Sequence, residues 1–130
     1  MLHSVVVVVD DNTDFLTFVE TLLAFAGYTV LSCQQSAQAL ALISKRQPDV
    51  VTLDIRMGEV DNGLDILTAL RADSATASIP VLLCSADIEA LGVFAAINTE
   101  PHTQVLAKPF DAHRLLVVLQ DLQEKARSIA

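Results

Sequence analysis

The stretch that most constrains this chain is VVVVVDDN, Val5 to Asn12. Five consecutive β-branched residues favour an extended strand, and a strand apolar on both faces must be covered on both. Two adjacent carboxylates follow immediately. The segment therefore reads as a buried mount that carries a pair of like charges to the edge of the core, and the pair needs a reason.

The same pattern recurs along the chain. Phe15, Phe18, Val19, Leu22 and Ala26 lie at helical spacing up to Gly27, a helix-ending residue. Tyr28 to Cys33 predicts a second strand, and Ser36 is expected to cap a helix carrying Ala37, Leu40, Ala41 and Ile43, closed by Pro48. Asp49 to Asp54 is a third apolar strand, Asp61 to Gly63 a turn, and Leu64, Leu67 and Leu70 mark a third helix. Ile79 to Ser85 is a fourth strand with Pro80 near its start, and Ile88, Leu91, Phe94 and Ala95 form a fourth helix ending before Pro101. Gln104 to Ala107 is a short fifth strand. Asp111 then caps a last helix marked by Leu115, Leu116, Leu119 and Leu122.

Five strands alternating with five helices imply right-handed crossovers and a parallel sheet covered on both faces, a doubly wound α/β fold. The last helix is expected to end near Lys125, leaving only ARSIA, so residues 1–130 read as a single domain with no output domain. A 130-residue chain that is 52% hydrophobic and 18% charged has the composition of a packed core. A net charge of -8 with no basic run argues against direct nucleic-acid binding. Cys33 and Cys84 sit in apolar surroundings and read as buried thiols rather than a disulfide or metal pair. No apolar run approaches the roughly 18 residues of a membrane span, and Met1 to Ser4 lacks the features of a signal peptide, so a cytoplasmic protein with no membrane partner is expected.

Doubly wound sheets bind ligands at the carboxyl ends of their strands. Those ends carry Asp10 and Asp11, Asp54, Ser85 and Lys108. Three carboxylates on one rim repel unless a cation lies among them or some are protonated, and a divalent ion is the simplest solution. All-oxygen ligation favours Mg²⁺ or a similar hard cation over zinc, and Mg²⁺ keeps several waters beside one or two carboxylates and a phosphoryl oxygen. With the metal in place, one carboxylate can attack a phosphoryl donor while a nearby ammonium neutralises the transferring charge. Asp54 is the best nucleophile, being the lone acid on the central strand. Asp10 and Asp11 suit the metal, Ser85 can hydrogen-bond a phosphoryl oxygen, and Lys108 can pair with another.

In VVDDN (Val8 to Asn12), LDIRM (Leu53 to Met57), DNGLDIL (Asp61 to Leu67), LLCSA (Leu82 to Ala86) and LAKPF (Leu106 to Phe110), the chain resembles the receiver domains of two-component response regulators, over essentially its whole length. The resemblance implies a (βα)5 fold with strand order 2-1-3-4-5. It implies that Asp54 accepts a phosphoryl group from a histidine kinase or histidine phosphotransfer protein. Mg²⁺ would be held by Asp10, Asp11, Asp54 and the backbone carbonyl of Arg56, with Ser85 as switch hydroxyl, Lys108 as phosphate-pairing lysine and a cis Lys108–Pro109 bond. Such a domain is a regulatory phosphoacceptor rather than an enzyme, though self-phosphorylation from small donors and autodephosphorylation are within its chemistry. Its partners would be a downstream effector or a covalently attached output domain, and a homodimer could form through the surface of helix 4, strand 5 and helix 5.

Three departures from the family pattern stand out. Gly58 replaces the usual proline, and Gly58 to Gly63 is one residue longer than the common loop. Val105 stands where many receivers carry an aromatic switch residue, so a signal must travel through Ser85, the backbone or helix displacement. Glu100 to Gln104 replaces the "GA" that often precedes the fifth strand.

Two other function classes compete. A haloacid-dehalogenase-like phosphotransferase would want Asp-x-Asp after the first strand, whereas these acids are adjacent. A non-phosphorylated pseudo-receiver, serving only as an interaction module, is at odds with the complete acceptor, acid pair, hydroxyl and lysine, although Val105 would suit it. Asp14 and Asp61 read as solvated first-turn or turn residues, and His3, His102 and His113 as surface or capping groups. Arg56 and Asp87 lie two positions beyond Asp54 and Ser85, and the resemblance implies that these places border the water path to the acyl phosphate, so their opposite charges suggest a lid that tunes dephosphorylation.

Overall fold

The computed structural model describes residues 4–56, 62–98 and 100–129. Its elements run β1 (Val5–Val9), α1 (Thr13–Phe25), β2 (Thr29–Cys33), α2 (Ser36–Arg46), β3 (Val50–Asp54), α3 (Asn62–Ala72), β4 (Val81–Ser85), α4 (Ile88–Ile97), β5 (Thr103–Ala107) and α5 (Ala112–Ile129). All pairings are parallel and the strand order is β2-β1-β3-β4-β5. The order reverses at β1, so the carboxyl ends of β1 and β3 flank the crevice where such sheets bind ligands.

The valines of β1 explain why the sheet is buried. Val7 and Val9 join a core with Val51, Leu53 and Leu83 beneath α2, α3 and α4. Val6 and Val8 point the other way and pack with Leu82 and Cys84 against Leu16, Val19 and Leu23 of α1 and Leu115, Leu119 and Leu122 of α5. The alternation of side chains along a strand thus places one valine run in two cores. Among the described residues, no helix is long and apolar enough to cross a membrane. Cys33 and Cys84 are free, buried thiols. Burial pushes the Cys84 thiol up to about 12, which keeps it protonated and inert.

Several local expectations need correction. The face that α1 buries is Leu16, Val19 and Leu23; Phe15 and Leu22 pack at its margin, while Phe18 is 47% exposed and Ala26 lies outside the core. In α2 the buried positions are Ala39 and Ile43, with Ala37, Leu40 and Ala41 on the outside. Both shifts follow from the 3.6-residue period, which lets a two-sided apolar helix rotate by about one position to fit its neighbours. Ser36 is the first residue of α2 rather than its cap; Gln35 occupies the cap without a side-chain hydrogen bond. In α4 only Leu91 is buried, and Ile88, Val93 and Ile97 are exposed. Finally, α5 runs to Ile129 instead of ending near Lys125, with Ser128 Oγ donating back to the Glu124 carbonyl at 3.1 Å. The lengthened loop expected at Gly58 to Gly63 falls largely on residues 57–61, outside the described residues, as do His3 and Asp61.

Candidate functional site

Four strands deliver the rim. The Asp10 N–H continues the β1 ladder by donating to the Cys33 carbonyl at 3.0 Å, the Ile55 N–H donates to the Cys84 carbonyl at 3.1 Å, and the Lys108 N–H donates to the Ser85 carbonyl at 2.9 Å. The backbone carrying Asp10, Asp54, Ser85 and Lys108 is therefore fixed up to the point where the side chains leave it. Asp10, Asp54 and Ser85 are buried, while Asp11 is exposed.

The side chains converge. Asp10, Asp11 and Asp54 each place a carboxylate oxygen so that the three oxygens lie within 4.8 Å of one another. Lys108 Nζ donates to Asp10 Oδ2 at 2.6 Å and to Asp54 Oδ2 at 3.1 Å. The remaining oxygens are also satisfied: Asp10 Oδ1 accepts from the Asn12 N–H at 2.9 Å, and Asp54 Oδ1 from the Arg56 N–H at 3.2 Å. Burial raises the Asp54 carboxyl above its usual range, Lys108 opposes that shift, and the Asp10 charge reinforces it. Burial works against the charge on Lys108, but the hydrogen bonds and charges of Asp10 and Asp54 together outweigh it and hold the ammonium above the usual lysine range. One ammonium thus partly neutralises two buried acids, and the exposed third acid leaves a net negative, all-oxygen cluster open to water. That donor set fits a hard, hydrated divalent cation.

Ser85 completes the edge from β4. Its Oγ accepts from the Asp87 N–H at 3.0 Å, and Asp87 in turn caps α4 by accepting from the Ala90 N–H at 3.0 Å. Ser85 is thereby tied through Asp87 to the start of α4. An open cavity of about 380 Å³ collects Asp11, Asp54, Arg56, Ser85, Asp87 and Lys108. The two expected lid residues are therefore both on its rim. Asp87 is also a structural cap. The Lys108–Pro109 bond is cis.

Two contributors were not visible as such in the sequence. Gly63, expected only as part of a turn, lies in the first turn of α3 against the end of β3: its N–H donates to the Ile55 carbonyl at 2.9 Å, and a Cβ there would lie 1.9 Å from the Asp54 carbonyl oxygen. A glycine at the start of an otherwise helical segment is the signal that could have found it. Phe15, expected as core, has Lys108 Nζ 3.8 Å from its ring centroid. Val105 is half-buried in β5, packed on the core beneath α2, α3 and α4. The Glu100 to Gln104 segment is bound to α3, since Arg71 pairs with Glu100 and donates to Thr103 Oγ1 at 2.8 Å.

Comparison with known proteins gives consistent results. The family model described as response regulator receiver domain matches residues 6–120. The transcriptional regulatory protein PrrA of Mycobacterium tuberculosis is 32% identical over 127 residues, covering 96% of this chain and 52% of its own. The nitrogen assimilation regulatory protein NtrX of Azorhizobium caulinodans is 30% identical over 128 residues, 98% of this chain and 27% of its own. Among solved structures, the Vibrio cholerae chemotaxis protein CheY4 superposes with a TM-score of 0.80 at 28% identity, over 93% of this chain and 99% of that one. The chain spans about half the length of the first curated relatives it matches.

Proposed function

The chain belongs to the response regulator receiver domain family of two-component signalling, and within that role we propose that Asp54 is the phosphoacceptor of an Mg²⁺-dependent switch. The observation that carries this reading is the Lys108 ammonium shared between Asp10 and Asp54 beside an open all-oxygen cluster. Asp10, Asp11, Asp54 and the Arg56 carbonyl would hold the ion. Bound there, Mg²⁺ would supply positive charge to offset that of the transferring phosphoryl oxygens. The Asp54 oxygen forms a bond to phosphorus as the bond to the donor's leaving group breaks, and the electron pair departs with that group. Lys108 follows the new negative charge from the carboxylate to a phosphoryl oxygen, and the Ser85 hydroxyl donates to another. The same carboxylates support self-phosphorylation from small donors and later hydrolysis by water.

The physiological donor in this reading is a histidine kinase or histidine phosphotransfer protein. The reader of the switch is a downstream effector or an attached output domain, in keeping with relatives named as transcriptional regulators and roughly twice this length. The net charge of -8 supports a protein partner rather than direct contact with nucleic acid. Exposed Ile88, Val93 and Ile97 on α4 support the surface of α4, β5 and α5 as the face that changes partners, a second copy included. The Ser85–Asp87 hydrogen bond offers the route: drawing Ser85 toward a phosphoryl group pulls on the cap of α4. The test is transfer from a kinase or phosphotransfer protein carrying labelled phosphohistidine. Label appears on this chain and is absent from Asp54→Asn; label on the variant sinks the assignment.

A further inference from the structure

Lysine has a flexible stem and a freely rotating ammonium, so two acids fix how near Lys108 comes without fixing its direction of approach. A third contact does that here. Lys108 Nζ lies 3.8 Å from the centroid of the Phe15 ring, on the negative face that attracts cations, while Asp10 Oδ2 and Asp54 Oδ2 accept from it at 2.6 and 3.1 Å. The ring offers no acceptor to compete for the amine protons, so they remain directed at the carboxylates.

Phe15 is itself tied to the site. Its backbone N–H donates to Asn12 Oδ1 at 2.9 Å, capping α1, and the Asn12 N–H donates to Asp10 Oδ1 at 2.9 Å. On the other side its ring meets that of Phe110 edge to face, with centroids 5.8 Å apart and planes at 81°. Phe15 is thus tied through its backbone and Asn12 to the acid that Lys108 pairs with, and through its ring to the segment that follows Lys108. We propose that Phe15 is a positioning residue for Lys108, its ring face holding the ammonium within reach of the Asp54 carboxylate and of a phosphoryl group placed there. The inference rests on Asp54 being the acceptor and deepens it, because it names what keeps the pairing lysine in place while the acids around it change partners.

The test compares wild type with Phe15→Leu, which keeps apolar bulk but loses the ring face, and Phe15→Tyr, which keeps the face. The chain has three lysines, and Lys45 and Lys125 are exposed references. Protons above a ring face resonate upfield, so the Lys108 ε-methylene signals lie upfield of the other two in wild type and in Phe15→Tyr, and collapse onto them in Phe15→Leu. In parallel, Mg²⁺-dependent phosphorylation by acetyl phosphate slows about fivefold in Phe15→Leu and stays within about twofold of wild type in Phe15→Tyr. Lys108 signals unshifted in wild type or equally shifted in Phe15→Leu overturn the proposal, as does a Phe15→Leu rate equal to wild type or a Phe15→Tyr variant that does not restore it. Those outcomes leave a phosphorylated wild type intact. A wild type that takes no phosphoryl group overturns the acceptor reading and this inference with it.

Discussion

Lys108 Nζ lies 2.6 Å from Asp10 Oδ2, across 98 residues of sequence, and the same nitrogen reaches Asp54. A single cation joins the ends of β1 and β3, so removing it leaves two buried carboxylates facing each other. Lys108→Ala is expected to lose about 3 kcal/mol in metal-free buffer, the lower end of the cost of breaking a buried pair because Lys108 keeps some exposure. Mg²⁺ is expected to raise the melting temperature of wild type and to restore part of the loss in the variant, since an ion that binds only the folded form stabilises it. Denaturant titrations with and without Mg²⁺ measure both. A variant as stable as wild type without metal contradicts the pairing.

Asp54 titrates in the direction opposite to a stabilising salt bridge. Burial raises its folded carboxyl above the unfolded value, so its favourable contribution is complete below about pH 3.9 and is lost as pH rises through the raised folded value. Asp54→Asn removes that loss. Without divalent cations, the melting temperature of Asp54→Asn relative to wild type is expected to increase between pH 4 and pH 7. A difference that stays flat across that window contradicts the assignment of burial as the dominant cause.

Gly63 approaches the backbone at Asp54, the end of β3, too closely for any side chain. Gly63→Ala must push α3 away from Asp54 and is expected to cost about 3 kcal/mol, at the upper end of overpacking effects. Its phosphorylation rate should fall as well, even under conditions where the variant stays folded. Thermal unfolding and single-turnover phosphorylation on the folded fraction separate the two effects.

Arg56 and Asp87 both border the open cavity that holds Asp54 and Ser85. As a charged lid they are expected to lengthen the life of the acyl phosphate. Arg56→Ala and Asp87→Asn should each shorten it about two- to tenfold, corresponding to roughly 0.4–1.4 kcal/mol of barrier. Asparagine is chosen at 87 because it preserves the cap of α4, whose loss would cost about 1 kcal/mol on its own. Unchanged decay of the phosphorylated form in both variants removes the lid.

The alternation of strands and helices, the sheet they form and the five residues at its rim were legible in the sequence, because a valine run ending in adjacent acids and a lysine–proline step are local signals. What local signals do not carry is reach. Nothing near Lys108 in sequence says that its amine pairs with Asp10 as well as Asp54, or that Phe15 lies beneath it. Arg71 is the same lesson on the far side of the sheet, where its guanidinium gathers the carbonyls of Ala77, Ile79 and His102 from two loops. The rotation of α1 away from Phe18 toward Leu16 and Leu23 was hidden because the helix is apolar on more than one face, and only its neighbours choose among them.

The central claim is that the rim built around Asp54 accepts a phosphoryl group, and intact-mass measurement after incubation with acetyl phosphate tests it most directly. With Mg²⁺ present, wild type is expected to gain the mass of one phosphoryl group, and to lose it with alkaline hydroxylamine as an acyl phosphate does. Asp54→Asn gains nothing, and chelation of the metal abolishes the gain in wild type. An unmodified wild type, or an adduct that survives in Asp54→Asn, would contradict the account.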